Sequence, residues 1–184
     1  NNSPFNRQRK LMNVTKTGQG MMTVGVVLGM VFLTFFFGGV KENRRNPNSD
    51  PTSSIHSESI EVPLKRNRQG HYLLIGKING EDVEFLLDTG ATDVVVPEST
   101  ARKLGLPYGI RGRAMTANGP VTIYQTRINE LHLGKIRLTN IDASINPNME
   151  GAILLGMSAL GQIEFSQQAD TLTLKQKVLK QKTG

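Results

Sequence analysis

"FLLDTGATDVVVP", Phe85 to Pro97, is the stretch on which the reading of this chain turns. Asp88 closes the apolar run Phe85-Leu86-Leu87, and Val94-Val95-Val96 soon resumes it. A carboxylate among large apolar side chains is costly unless it is paired, hydrogen-bonded or neutralised. The next residues offer a way to meet that cost. Thr89-Gly90-Ala91 reads as a tight turn between two strands, in which Gly90 lets backbone approach the carboxylate with no Cβ in the way. Turn N–H groups and a hydroxyl can hold an ionised or shared carboxylate in a fixed orientation. The plainer alternative is a strand-ending Asx-turn with Asp88 half exposed.

Outward from this turn the pattern is one of short strands. "SIEVPL" alternates, and "HYLLIGKI" and "EDVEFLL" flank Asn79-Gly80, a two-residue hairpin signal. In "PESTARKLGL", Pro97 suits a helix start and Gly105 the position past its end. "RAMTANGPVTIYQTRI" predicts a second hairpin with its turn at Ala117-Asn118-Gly119-Pro120, and "LHLGKIRLTNIDASI" two strands about Gly134-Lys135. "AILLGMSALGQIEF" gives an apolar run, a short helix and a strand, and "DTLTLKQKV" alternates again. Many short strands with two short helices predict a β-rich barrel or sandwich over 60–178.

The remainder of the chain differs in kind. Seven of its 22 basic residues, but only one of its 15 acidic ones, stand before Asn46, so the folded part is close to neutral. A nucleic-acid partner needs a basic face on a recognisable module, and neither shows. No cysteine is present, which excludes disulfides and thiolate metal sites. Thr17 to Val40 carries no charge. Twenty of these residues as a helix reach about 30 Å, the thickness of a bilayer's hydrocarbon core. A cleaved signal is usually shorter and ends in an A-x-A-like site, whereas this run ends Phe36-Phe37-Gly38-Gly39-Val40 and then meets charge; the polar stripe of a core helix is also absent. The expectation is a transmembrane helix over 17–40. Arg7, Arg9, Lys10 and Lys16 would hold residues 1–16 in the cytoplasm, and the remainder would be exported. "KENRRNPNSDPTSSIHSES", 41–59, has Ile55 as its lone large apolar residue and reads as a flexible tether. Residues 179–184 read as a basic tail.

Other polar residues carry little. His56, His71 and His132 show no metal-ligand spacing, so no metal and no cofactor is expected. Ser99 and Ser158 lack a nucleophile's glycine elbow.

With its flanks, Phe85 to Thr92 resembles the active-site motif of aspartic proteases, especially the single-lobe retropepsin-like family. That family's second element, two large apolar residues and a glycine before a short helix, is matched by Ile153-Leu154-Leu155-Gly156-Met157. A flap hairpin is expected between them, and Met115 to Tyr124 occupies that place, with Thr116, Ala117, Asn118 and Gly119 at its tip. The resemblance covers 60–178, and with the N-terminal span the chain looks like the membrane-anchored retropepsin-like proteases of Gram-negative bacteria.

The resemblance implies an all-β, single-lobe barrel with one or two short helices, preceded by a transmembrane helix. It implies Asp88 as the catalytic acid, Thr89, Gly90 and Ala91 as its turn, and Leu154, Leu155 and Gly156 as the second element. The substrate would be an extended peptide, hydrolysed on the periplasmic side of the inner membrane with no cofactor. Carboxyl-driven hydrolysis needs two carboxyls about 3 Å apart sharing one proton. Asp170-Thr171 lacks the glycine, and Asp82, Asp93 and Asp142 lack the flanking pattern. The second carboxyl is therefore expected from Asp88 of another copy, with Thr89 bonding across the two-fold axis as in the family. Retroviral members follow the second glycine with a basic or amide residue that braces the dimer; here Met157 and Ser158 stand there. The other reading is an anchored peptide-binding module of the same fold that does not hydrolyse.

Overall fold

A computed structural model gives the conformation of residues 45–56, 58–116 and 119–178, together with Val27, Leu28 and Met30. Those last three are helical and exposed. The remainder of the expected span over 17–40, the N-terminus 1–16 and the tail 179–184 lie outside the described residues. Among the described residues no helix is long and apolar enough to cross a membrane.

The folded unit runs β1 (Ser54–Ile55), β2 (Ser59–Lys65), β3 (Leu73–Ile78), β4 (Glu81–Leu87), β5 (Val94–Pro97) and α1 (Glu98–Lys103). It continues with β6 (Arg111–Thr116), β7 (Gly119–Leu133), β8 (Ile136–Asn146), β9 (Ile153–Leu155), α2 (Met157–Leu160), β10 (Glu164–Gln168) and β11 (Thr171–Lys177). Seven strands form one sheet in the order β3-β4-β9-β5-β8-β7-β6, and β3 also pairs with β7, through Lys77↔His132 and Ile78↔Leu131. That extra pairing closes the sheet into a barrel and leaves β6 outside the closure, held only along β7. Closure removes the open edges that a flat sheet would expose. A second sheet, β1-β2-β11-β10, joins the beginning and end of the domain.

Local signals explain the turns. Asn79 and Gly80 both take positive φ, 50° and 93°, as the two-residue β3–β4 hairpin requires. α1 ends at Lys103, with Gly105 at φ 63° and the Leu106 and Gly105 amides donating to the carbonyls of Ala101 and Arg102. This is a Schellman closure, and Leu106 is buried beneath it. The barrel is filled by Leu74, Ile78, Phe85, Ile128, Ile141, Ile145, Ile153 and Leu155, each essentially inaccessible to solvent.

Two expectations are corrected. The flap turn expected over residues 117–120 is shorter, because Gly119 and Pro120 already pair with Thr116 and Met115. Residues 117 and 118 lie outside the described residues. The stretch 41–59 is no flexible tether from Arg45 onward, and the fold begins well before Ile60. Asn46 and Asn48 are buried, although composition alone marks this stretch as solvated. Asn48 Nδ2 donates to the carbonyls of Lys65 (3.0 Å) and Leu73 (2.6 Å), and its Oδ1 accepts from the Lys65 amide at 2.7 Å. Asn46 Nδ2 and Arg45 both bond the Glu84 carboxylate, and Ser53 Oγ accepts from the Lys135 amide. Asparagine is tolerated inside when its amide is satisfied, and here one side chain bridges the end of β2 and the start of β3.

Candidate active site

The two motif segments meet through the sheet. β9 lies parallel to β4, with Phe85↔Ile153, Leu86↔Leu154 and Leu87↔Leu155, and its other side meets β5 at Val95↔Leu154. Leu154 and Leu155 therefore sit between the strands that enter and leave the Asp88 turn. Phe85, Val94, Val96, Ile153 and Leu155 are buried beneath it. The apolar run on either side of Asp88 is the barrel wall, and the carboxyl emerges at its end, half-buried.

Backbone bonds hold the turn on several sides. The Asp88 amide donates to the Leu155 carbonyl (3.2 Å), and the Ala91 amide closes the turn on the Asp88 carbonyl (3.2 Å). From the opposite wall the Met157 and Ser158 amides donate to the carbonyls of Ala91 (2.9 Å) and Thr92 (2.8 Å). The Gly90 amide donates to Asp88 Oδ1 at 2.9 Å, which orients the carboxyl and leaves Oδ2 with no partner among the described residues. Thr89 and Gly90 are exposed. A Cβ on Gly156 would sit 2.1 Å from the Asp93 carbonyl oxygen and 2.8 Å from that of Ala91. Only a glycine lets the second motif approach the turn so closely.

The flap residues are placed at the end of the β6–β7 hairpin. Thr116 Oγ1 donates to the Gly119 carbonyl at 2.8 Å, and Gly119 takes φ 106°. Ala117 and Asn118 lie outside the described residues. Met115, next to the tip, is 82% exposed.

Two residues passed over in the sequence belong to this neighbourhood. Ser158 lacks a nucleophile's setting, and its hydroxyl does something else. Its Oγ donates to the Asp142 carbonyl (2.7 Å) and accepts from the Val94 amide (3.0 Å), tying α2 to β5 and β8 at the back of the turn. A small hydroxyl directly after the Gly156-Met157 pair is a usable signal only once the second motif is recognised. Asp93 continues the same loop and is half-buried. Burial pushes its carboxyl above the ordinary value, and the nearby charge of Asp142 pushes it further. Among the described residues no group of three or more His, Cys, Asp or Glu could hold a metal ion.

Residues 74–162 match the family described as "gag-polyprotein putative aspartyl protease". Over 120 residues the chain is 32% identical to an uncharacterized protein of the cobV 5' region of Sinorhizobium sp, covering 62% of this chain and 52% of that one. Protein RP867 of Rickettsia prowazekii (strain Madrid E), also uncharacterized, is 27% identical over 128 residues, with coverages of 67% and 55%. The chain spans about half the length of these curated relatives. The crystal structure of a retropepsin-like aspartic protease from Rickettsia conorii matches with a TM-score of 0.56 and 29% identity, covering 66% of this chain and 96% of that one. The closed barrel, the Asp88 turn threaded against the Gly156 segment and these likenesses agree, and they support a retropepsin-like aspartic protease family for the folded domain.

Proposed function

We propose that the chain is a membrane-tethered aspartic endopeptidase that hydrolyses extended peptides through two Asp88 carboxyls of a homodimer. The observation that carries this reading is the half-buried Asp88, oriented by the Gly90 amide and braced from both walls of its turn. A carboxyl fixed this firmly, with one oxygen unpartnered among the described residues, is half of an acid–base pair. With a second copy two-fold related, one carboxylate takes a proton from water as it attacks the scissile carbonyl. The protonated partner donates to that carbonyl oxygen, and the proton is later passed to the leaving amine. Two carboxyls in contact cannot both ionise, so both roles are filled before substrate arrives. Thr89, exposed beside Asp88, is the residue available to bond its counterpart across the axis. The β6–β7 hairpin would fold over the peptide and exclude water. The uncharged run Thr17 to Val40 and its basic N-terminal flank support an inner-membrane anchor with the domain in the periplasm.

The test is Asp88→Asn, which keeps shape and removes the ionisable acid. Hydrolysis of an extended-peptide library should fall by about 10²–10⁴-fold or more, the scale of acid–base catalysis, with the thermal transition retained. Undiminished cleavage by well-folded Asp88→Asn protein would sink the assignment. A binding module would instead hold peptides equally well with either residue and cut with neither. Dependence on a second copy is tested by excess Asp88→Asn chain, which should depress wild-type activity by forming mixed dimers.

A further inference from the structure

Beside the Asp88 turn lies a cavity of about 610 Å³ that the catalytic reading leaves unused. Its walls come from the end of the turn (Asp93), the loop between α1 and β6 (Pro107, Gly109, Ile110), and β7 and β8 (Thr126, Arg127, Asp142). The chemistry of these walls is uneven. Asp142 is satisfied, its Oδ1 accepting from Arg127 Nη2 (2.6 Å) and Nε (3.1 Å). Asp93 is half-buried, and among the described residues nothing donates to its carboxylate. Ile110 is 75% exposed at the same cavity and offers it an apolar surface.

A partly desolvated carboxylate without a partner is costly, and the group that relieves it is a hydrogen-bond donor carrying positive charge. We propose that this cavity is a substrate subsite selecting a lysine or arginine side chain, with Asp93 accepting from its charged head and Ile110 and Pro107 covering its aliphatic stem. Long basic side chains divide in this way, burying the methylenes while the head meets its partners. The alternatives fit less well. A glutamate would face Asp93 and Asp142 together, and a purely apolar side chain would leave the Asp93 carboxylate unpartnered. Arg127 does not fill the role from within, because its guanidinium is engaged by Asp142. The raised protonation tendency of Asp93, caused by burial and then by Asp142, agrees with a carboxylate kept waiting for a cation.

This inference rests on the peptidase reading for the identity of the ligand, and its test is built so that the two fail separately. Extended peptides differing at one position, with lysine, norleucine or glutamate there, are scanned residue by residue across the sequence flanking the cut. They are offered to the full-length chain, as wild type and Asp93→Asn. At one position the wild type should favour lysine over norleucine by about tenfold in kcat/KM, as expected for one charge-assisted hydrogen bond, and disfavour glutamate. In Asp93→Asn the lysine-to-norleucine ratio should fall towards unity. The ratio is internal to each preparation, so a lower yield of folded protein leaves it unchanged. If no peptide is cut, the peptidase reading fails, and the same ratio is read from binding of fluorescent versions of the peptides. A binding preference for lysine that Asp93→Asn removes still supports the subsite. Equal or reversed preference at every position, a ratio unchanged by Asp93→Asn, or no binding of any peptide overturns it.

Discussion

The Asp88 turn and the β6–β7 hairpin are both two-strand reversals rich in Thr, Gly and Ala, yet they are secured differently. The Asp88 turn is tied to β9 by its own Asp88 amide and to α2 by the Met157 and Ser158 amides, and its carboxyl is fixed by the Gly90 amide. The flap hairpin hangs off the barrel on β7 alone, outside the β3–β7 closure, with Met115 almost fully exposed beside its tip. One loop is part of the core's geometry; the other is a peripheral ribbon. Similar residues therefore have different consequences according to what surrounds them, and two glycines show it most directly. Gly156 is required by space, since backbone oxygens stand where its Cβ would go. Gly119 is required by conformation, at φ 106°, with open space where its Cβ would go.

The comparison breaks most visibly at Gly156. Gly156→Ala must push the Asp93 carbonyl away, and a change of this kind in packed backbone costs about 3 kcal/mol or more. Calorimetry should show a large fall in Tm together with lost hydrolysis; a near-native Tm would mean the two segments separate easily. Next comes Ser158→Ala, which removes the donor to Asp142 and leaves the buried Val94 amide without its acceptor. A loss of about 1–3 kcal/mol is expected, restored by Ser158→Thr if the hydroxyl is the cause. Chemical denaturation of the three proteins gives the comparison directly.

On the flap side, Gly119→Val places a β-branched residue at positive φ, a local strain of about 1–3 kcal/mol in a ribbon the barrel does not depend on. Peptide hydrolysis should fall several-fold while Tm moves little, the reverse of the Gly156 pattern. If Tm fell sharply and activity per folded molecule held, the hairpin would be structural only.

The smallest expected effect lies at Asp93. Its folded-state carboxyl titrates above the ordinary value through burial and then through Asp142. The native state therefore binds the proton more readily than the unfolded chain, and this residue's contribution to stability declines as pH rises through that window. Asp93→Asn should accordingly raise Tm slightly near neutral pH and give no gain at pH values below the ordinary carboxylate range. Scanning calorimetry at two pH values reads the difference, and a fall in Tm at neutral pH would contradict it.

The strands were legible because apolar alternation and the Asn79-Gly80 pair act locally, through pleat and turn conformation. The Asp88 motif was legible because its neighbours are the barrel wall and so carry the core's pattern in the sequence. The start of the domain was not. Asn46 and Asn48 are buried for the sake of carbonyls and an amide on β2 and β3, partners distant in sequence that no composition reveals. Ser158 escaped for the same reason, its acceptor and donor lying on β8 and β5. Asp93 looked ordinary because its missing partner is a property of the cavity, which exists only once the α1–β6 loop folds against β7. Contacts between residues close in the chain leave a signature in pattern, whereas single polar side chains that bridge distant strands leave none.

The bridge made by Asn48 also sets where a pull on the chain would be felt. Tension applied upstream of Arg45 does not begin by peeling the short β1 from β2, because the strand junction is reached first. Load enters through the Arg45 and Asn46 bonds to Glu84 and the three side-chain bonds of Asn48, at the root of the β2–β3 connection. Several bonds strained together share the force and yield together. In a stretching experiment on the intact chain, Asn48→Ala should lower the force of the first rupture and let the following segment, through β1, extend before the barrel opens.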